Sequence, residues 1–218
     1  MRIIIFDLDG VLIDSRDNFV FHLVAAAKRF GIFNLSQEVL SLQMVRPMGE
    51  QLLYILGDTH TPGREADLLA CFRRLCLTNP LQGISVFPGV FSTLQQLKEA
   101  GFVLALCTNK PLDLTQIILS ELGLAQFFSF VYGGDAGLPR KPEPHMLNTV
   151  LAVSGCDPTS ALFVGDSVSD VEVAKRALIS SAAVGWGYTQ KADLMGAKPD
   201  VFFDHYSEIS LYCMARKS

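Results

Sequence analysis

Six short, continuously apolar runs, separated for most of the chain by helical patterning, constrain this sequence more than any other feature. They are Ile3 to Phe6, Val103 to Cys107, Phe130 to Tyr132, Ala161 to Val164, Ala182 to Val184 and Val201 to Phe203. Each is too short for a stable helix and lacks the polar alternation of a half-exposed strand, so each reads as a strand buried on both faces. Between them, Phe91 to Ala100 carries Leu94 and Leu97 on one face and stops at Gly101, and Asp113 to Leu122 stops at Gly123. Both helices therefore end in a glycine C-cap signal. Strands alternating with helices predict an α/β fold, a Rossmann-like parallel sheet core flanked by helices.

One segment breaks the alternation. Between Ser15 and Gln82 the patterning is helical throughout: Phe19, Leu23, Val24 and Ala27 share a stripe, and Thr61-Pro62 is an N-cap and N1 pair opening a helix through Leu69, Phe72 and Cys76. The expected organisation is a catalytic core of residues 1–14 and 83–218, with residues 15–82 inserted as an all-helical domain. Phe87-Pro88-Gly89 is the turn signal at the return to the core.

Charge and cysteine content exclude some functions. The formal charge of −4, from 22 acids against 18 bases, comes without any Lys/Arg block, so no nucleic-acid partner is expected. The N-terminal apolar run ends at Asp7, well short of a signal-peptide core or a membrane span, so no membrane association is expected. Five cysteines, odd in number and without CxxC spacing, read as reduced thiols of a cytoplasmic protein, monomer or homodimer.

In an open parallel sheet the reactive crevice lies beyond the carboxyl ends of the strands. The first strand delivers Asp7 and Asp9 there, the second Thr108 and Asn109, and the fourth Asp166, with Asp170 four residues on and on the same face of the next helix. Lys141 lies in the loop after the third strand. Two carboxylates about 4 Å apart repel by about 4 kcal/mol at an effective dielectric of about 20, so four in one crevice call for a cation. Mg²⁺ accepts a few carboxylate or carbonyl oxygens and binds phosphate oxygens readily, and a lysine adds a point charge suited to phosphate. Such a site is arranged for phosphoryl transfer. One aspartate of the Asp7-Leu8-Asp9 pair can act as nucleophile while the other handles protons.

Asp7-Leu8-Asp9-Gly10-Val11-Leu12, Thr108-Asn109, Lys141-Pro142 and Gly165-Asp166-Ser167-Val168-Ser169-Asp170 resemble, in order, the four motifs of the haloacid dehalogenase superfamily. Phe87-Pro88-Gly89-Val90, Thr108-Asn109-Lys110-Pro111, Gly133-Gly134-Asp135 and Phe163-Val164-Gly165-Asp166-Ser167 look like its phosphoglycolate phosphatase branch. The resemblance implies that Asp7 is the nucleophile and Asp9 the general acid/base. It also implies Mg²⁺ held by Asp7, the Asp9 carbonyl and Asp166, with Asp170 orienting a metal-bound water or joining the metal shell. Thr108 and Lys141, with Asn109 nearby, would bind the transferring phosphoryl group, and the helical insert would be a cap. The implied partner is a small phosphorylated metabolite. A phosphomutase, or a non-catalytic binding protein on the same fold, remains open beside the phosphatase.

Three departures from the family pattern stand out. Val11 replaces a common threonine, Ser169 a frequent asparagine, and the stretch from Arg176 to Ala183 lacks the glycine usual after its helix. Arg46-Pro47-Met48-Gly49 falls where the family places a specificity loop; Arg46 either ends a helix before proline or binds a substrate carboxylate. Asp170 could serve its helix N-terminus as well as the site. The four histidines, His22, His60, His145 and His205, show no metal spacing and are expected at surfaces or interfaces, and Trp186 is expected to anchor a loop.

Overall fold

The computed structural model describes residues 2–44, 46, 48–135 and 137–217. The chain divides into two compact units, residues 1–14 with 86–218, and residues 15–85. Strand β1 (Ile3–Phe6) leads through a tight turn to the short β2 (Ile13–Asp14). The second unit then contributes helices α1 (Arg16–Arg29), α2 (Gln37–Gln43), α3 (Met48–Leu56) and α4 (Arg64–Thr78). After β3 (Ser85–Val86) come α5 (Val90–Glu99), β4 (Val103–Cys107), α6 (Leu112–Glu121), β5 (Phe130–Tyr132) and α7 (His145–Ser154). The chain closes with β6 (Ala161–Gly165), α8 (Val168–Arg176), β7 (Ser180–Val184), α9 (Lys191–Gly196), β8 (Val201–Phe203) and α10 (Tyr206–Ala215).

The six long strands form one parallel sheet in the order β5-β4-β1-β6-β7-β8. All four residues of β1 are fully buried, as a central strand covered on both faces must be. One face packs Ile3, Ile5, Ala105, Cys107 and Phe163 against Met146, Leu147 and Val150 of α7 and Val173 and Ala174 of α8. Winding runs from β1 outward to β5 and then reverses to β6, so the crevice opens at the ends of β1, β4 and β6. Register makes this exact to the residue: Phe6 pairs with Leu106 on one side and Val164 on the other. Asp7, Thr108 and Asp166 thus leave the same sheet edge.

In the helical unit, Val20, Leu23, Ala26 and Ala27 of α1 pack with Leu52, Ile55 and Leu56 of α3 and Leu68 and Cys71 of α4. Two sequence expectations fail here. Helix α4 begins at Arg64, because Gly63 takes a left-handed φ of 89° and separates the helix from Thr61-Pro62. His22 is buried, its Nε2 lying 3.0 Å from the Asn79 carbonyl, so its role is internal to this unit rather than on a surface.

Helix α8 ends without glycine. Leu178 itself takes φ 58°, and its N–H reaches the Lys175 carbonyl while that of Ile179 reaches Ala174. These are the two hydrogen bonds of a Schellman stop, made at the cost of a left-handed leucine.

Candidate active site

The turn after β1 is wound tightly around the Leu8 carbonyl, which accepts the N–H groups of Leu12 at 2.9 Å and Ile13 at 3.1 Å. Gly10 has φ 76°, and a Cβ there would overlap the Asp166 carboxylate. Glycine is therefore needed twice over, for the backbone angle and for the close approach of the β6 end. A Cβ at Gly165 would likewise overlap Asp170, and one at Gly187 would overlap Asp166.

This packing brings three buried aspartates together: Asp7, Asp166 and Asp170 each offer a carboxylate oxygen within 4.8 Å of the others. Lys141 reaches into the group, with Nζ 2.9 Å from Asp7 Oδ2 and 2.7 Å from Asp170 Oδ1. Burial pulls the Lys141 ammonium down, but Asp170 and Asp7 more than reverse that and hold it above the usual range. Burial pushes Asp7 up to about 6, opposed by Lys141 and reinforced by Asp170 and Asp9. Burial, then Asp170 and Asp7, raise Asp166 as well, despite the hydrogen bond it accepts at Oδ2 from the Tyr188 N–H at 2.7 Å.

Asp7 Oδ1 is buried and has no hydrogen-bond partner among the described residues. A buried acceptor without a donor is expensive and needs an explanation. Three carboxylates against one lysine, with an orphaned oxygen among them, are a donor set that fits a hard divalent cation. Asp170 is committed differently: its Oδ2 accepts from the N–H groups of Asp166 and Ser167 and from Ser167 Oγ, in a capping box that starts α8. Its other oxygen faces Lys141. One aspartate both caps the helix and fixes the lysine.

Thr108 is buried at the end of β4, and its hydroxyl accepts the Lys110 N–H at 3.3 Å. Asn109 turns its side chain to the Lys141 main chain, accepting from the N–H at 2.9 Å and donating to the carbonyl at 3.1 Å. Gly134 permits this, since a Cβ there would overlap the Asn109 carbonyl. Asp9 Oδ1 lies 3.0 Å from Lys110 Nζ, a contact the sequence analysis did not single out. The signal was present, because Lys110 follows Asn109 at the same strand end. Arg46 belongs to the other unit, where it is exposed, 3.8 Å from Glu50, and its carbonyl accepts from Gln51 at 2.7 Å. Its neighbour Pro47 lies outside the described residues.

The model of haloacid dehalogenase-like hydrolases matches residues 4–184, from β1 to the end of β7, which takes in Asp7, Asp9, Thr108, Asn109, Lys141, Asp166 and Asp170. The chain belongs to the haloacid dehalogenase-like hydrolase family. Two family relatives are similar over most of their length. A phosphoglycolate phosphatase of Agrobacterium fabrum is 34% identical over 214 residues, covering 94% of this chain and 89% of its own. One of Aquifex aeolicus is 33% identical over 190 residues, covering 87% of each. A crystal structure described as a predicted phosphoglycolate phosphatase from Haemophilus somnus superposes on this haloacid dehalogenase-like chain with a TM-score of 0.88. It is 26% identical and covers 96% of each chain.

Proposed function

We propose that this hydrolase is a Mg²⁺-dependent phosphatase that cleaves a small phosphomonoester, 2-phosphoglycolate first among candidates, through an aspartyl-phosphate on Asp7. The observation that carries the reading is the division of labour at Asp7: Lys141 holds Oδ2 while Oδ1 meets no donor among the described residues. The names of the Agrobacterium and Aquifex relatives support the substrate.

Asp7 Oδ1 attacks phosphorus, the bond from phosphorus to the ester oxygen breaks, and Asp9 gives the leaving oxygen its proton. Asp9, now a carboxylate, takes a proton from water as that water attacks the phosphorus of the aspartyl-phosphate; the bond to Asp7 breaks and inorganic phosphate leaves. Lys141 and Thr108 stand on the oxygens of the transferring group, and Asn109 holds Lys141 by its main chain. Asp7, Asp166 and the Asp9 carbonyl, with Asp170 behind them, would hold Mg²⁺. Bound there, it would supply positive charge to the carboxylates and the phosphoryl oxygens.

Lys110 keeps a cation beside Asp9, a chemistry suited to a leaving group that carries its own carboxylate. In the same reading residues 15–85 act as the cap, and Arg46 is their candidate for binding substrate. No described helix is long and apolar enough to cross a membrane. The proposal includes a cytoplasmic location, in keeping with the free thiols of Cys71, Cys107, Cys156 and Cys213.

Phosphate release from a panel of phosphomonoesters, with and without Mg²⁺, tests the function. Turnover of 2-phosphoglycolate ahead of the others is the expected result. Absence of turnover across the panel contradicts phosphatase activity, and conversion of a hexose 1-phosphate to its 6-phosphate, read by NMR, would identify a mutase.

A further inference from the structure

The loop that follows β7, Gly185 to Tyr188, touches the candidate site at three separate places. Trp186 Nε1 donates to the Val11 carbonyl at 3.2 Å, on the turn that carries Asp7 and Asp9. The Tyr188 N–H donates to Asp166 Oδ2 at 2.7 Å. The Tyr188 hydroxyl lies 3.2 Å from Asp14 Oδ1, at the end of the same turn. Between the two aromatic residues, Gly187 leaves no space for a Cβ against Asp166.

A third aromatic residue completes the hold. The buried Tyr206 hydroxyl, at the start of α10, also donates to the Val11 carbonyl, and its ring lies 4.6 Å from that of Trp186. Gly89 packs against the Tyr206 Cβ, and Thr93 Oγ1 donates to the Tyr206 carbonyl at 3.3 Å, so the tyrosine is itself braced by α5. One carbonyl oxygen has two lone pairs, and here each is met by a side-chain donor from a different, distant part of the chain.

We propose that Trp186 and Tyr206 are positioning residues that clamp the Val11 carbonyl, and that the Gly185 to Tyr188 loop thereby fixes the Asp7 turn and the Asp166 carboxylate relative to each other. The proposal rests on the phosphoryl-transfer reading of the site. Nucleophile and metal aspartate sit on different strands, and a small misplacement of one against the other is expensive in rate. A loop bonded to both holds that relationship.

The shared acceptor gives the test its form. Trp186→Phe and Tyr206→Phe each leave Val11 with one donor, so each keeps the buried carbonyl satisfied; the double variant leaves it with none. With circular dichroism confirming folding, each single variant is expected to lower kcat by about 3- to 10-fold and the double by more than the product of the two, about 100-fold or more. KM should move little. A purely structural role would lower the melting temperature and leave kcat intact well below it. Singles and double within about 2-fold of wild type, or a double equal to the product of the singles, would overturn the clamp.

A second measurement needs no turnover. Trp186 is the sole tryptophan, so its emission should change on addition of Mg²⁺ to the wild-type protein and stay constant in Asp166→Asn. Flat emission while calorimetry records Mg²⁺ binding overturns the coupling. A response of Trp186 in a protein that turns over no phosphomonoester would uphold the coupling of the loop to Asp166 and remove the functional reading instead.

Discussion

Lys141 Nζ lies 2.9 Å from Asp7 Oδ2, and both side chains are buried. The ammonium also serves Asp170 at 2.7 Å, so a single cation from the loop before α7 ties the end of β1 to the first turn of α8. Removing one member of a buried ion network strands the others, which costs far more than the network's net contribution to stability.

Lys141→Met should therefore lower stability by about 3–5 kcal/mol, and with it abolish measurable turnover. Chemical denaturation gives the first quantity and phosphate release the second. A stable variant with wild-type turnover would mean that Lys141 is an ordinary loop lysine.

The pH dependence follows from Asp7, which burial raises from 3.8 to about 6. Between those values the metal-free folded protein keeps a proton that the unfolded chain has released. The contribution is full below about pH 4 and is lost as pH rises through about 6, a difference of up to about 3 kcal/mol. A divalent cation offsets that loss. Mg²⁺ should raise the melting temperature more at neutral pH than at about pH 5, and a larger effect at the acid end would contradict the assignment.

Gly10→Ala should fail at the site. Its φ of 76° penalises any side chain, by about 1 kcal/mol or more, and the new methyl group would press on the Asp166 carboxylate. Mg²⁺ affinity, read by calorimetry, should fall about 10-fold or more. Unchanged affinity would show that Asp166 can move without consequence.

Leu178→Gly should do the opposite. Leu178 is 80% exposed, so little burial is lost, and it occupies a left-handed position that suits glycine. A gain of about 1 kcal/mol is expected from denaturant unfolding with activity unchanged. A loss would show that the leucine contributes something beyond the helix stop.

How much of this could be read in the residues depended on how local each cause is. The strand Ile3 to Phe6 was legible because full burial on both faces leaves a run with no polar residue. The acidic strand ends were legible because a parallel sheet gathers them at one edge. The start of α4 was misjudged because Thr61-Pro62 is a sound local signal that the left-handed Gly63 overrides. His22 was misjudged because its partner, the Asn79 carbonyl, is 57 residues away. A 32-residue separation hid the hold of Asn109 on Lys141, and a 175-residue separation hid that of Trp186 on Val11. No local pattern marks a side chain whose partner is a main-chain carbonyl on another strand's turn.

The nucleophilic role of Asp7 is tested most directly by acid-quenching the enzyme during turnover and mapping the phosphoryl group by mass spectrometry. The phosphoryl increment should fall on the peptide containing Asp7 and vanish in Asp7→Asn, which should also be inactive while remaining folded. A phosphoryl group found on another residue, or near-normal turnover by Asp7→Asn, would contradict the account.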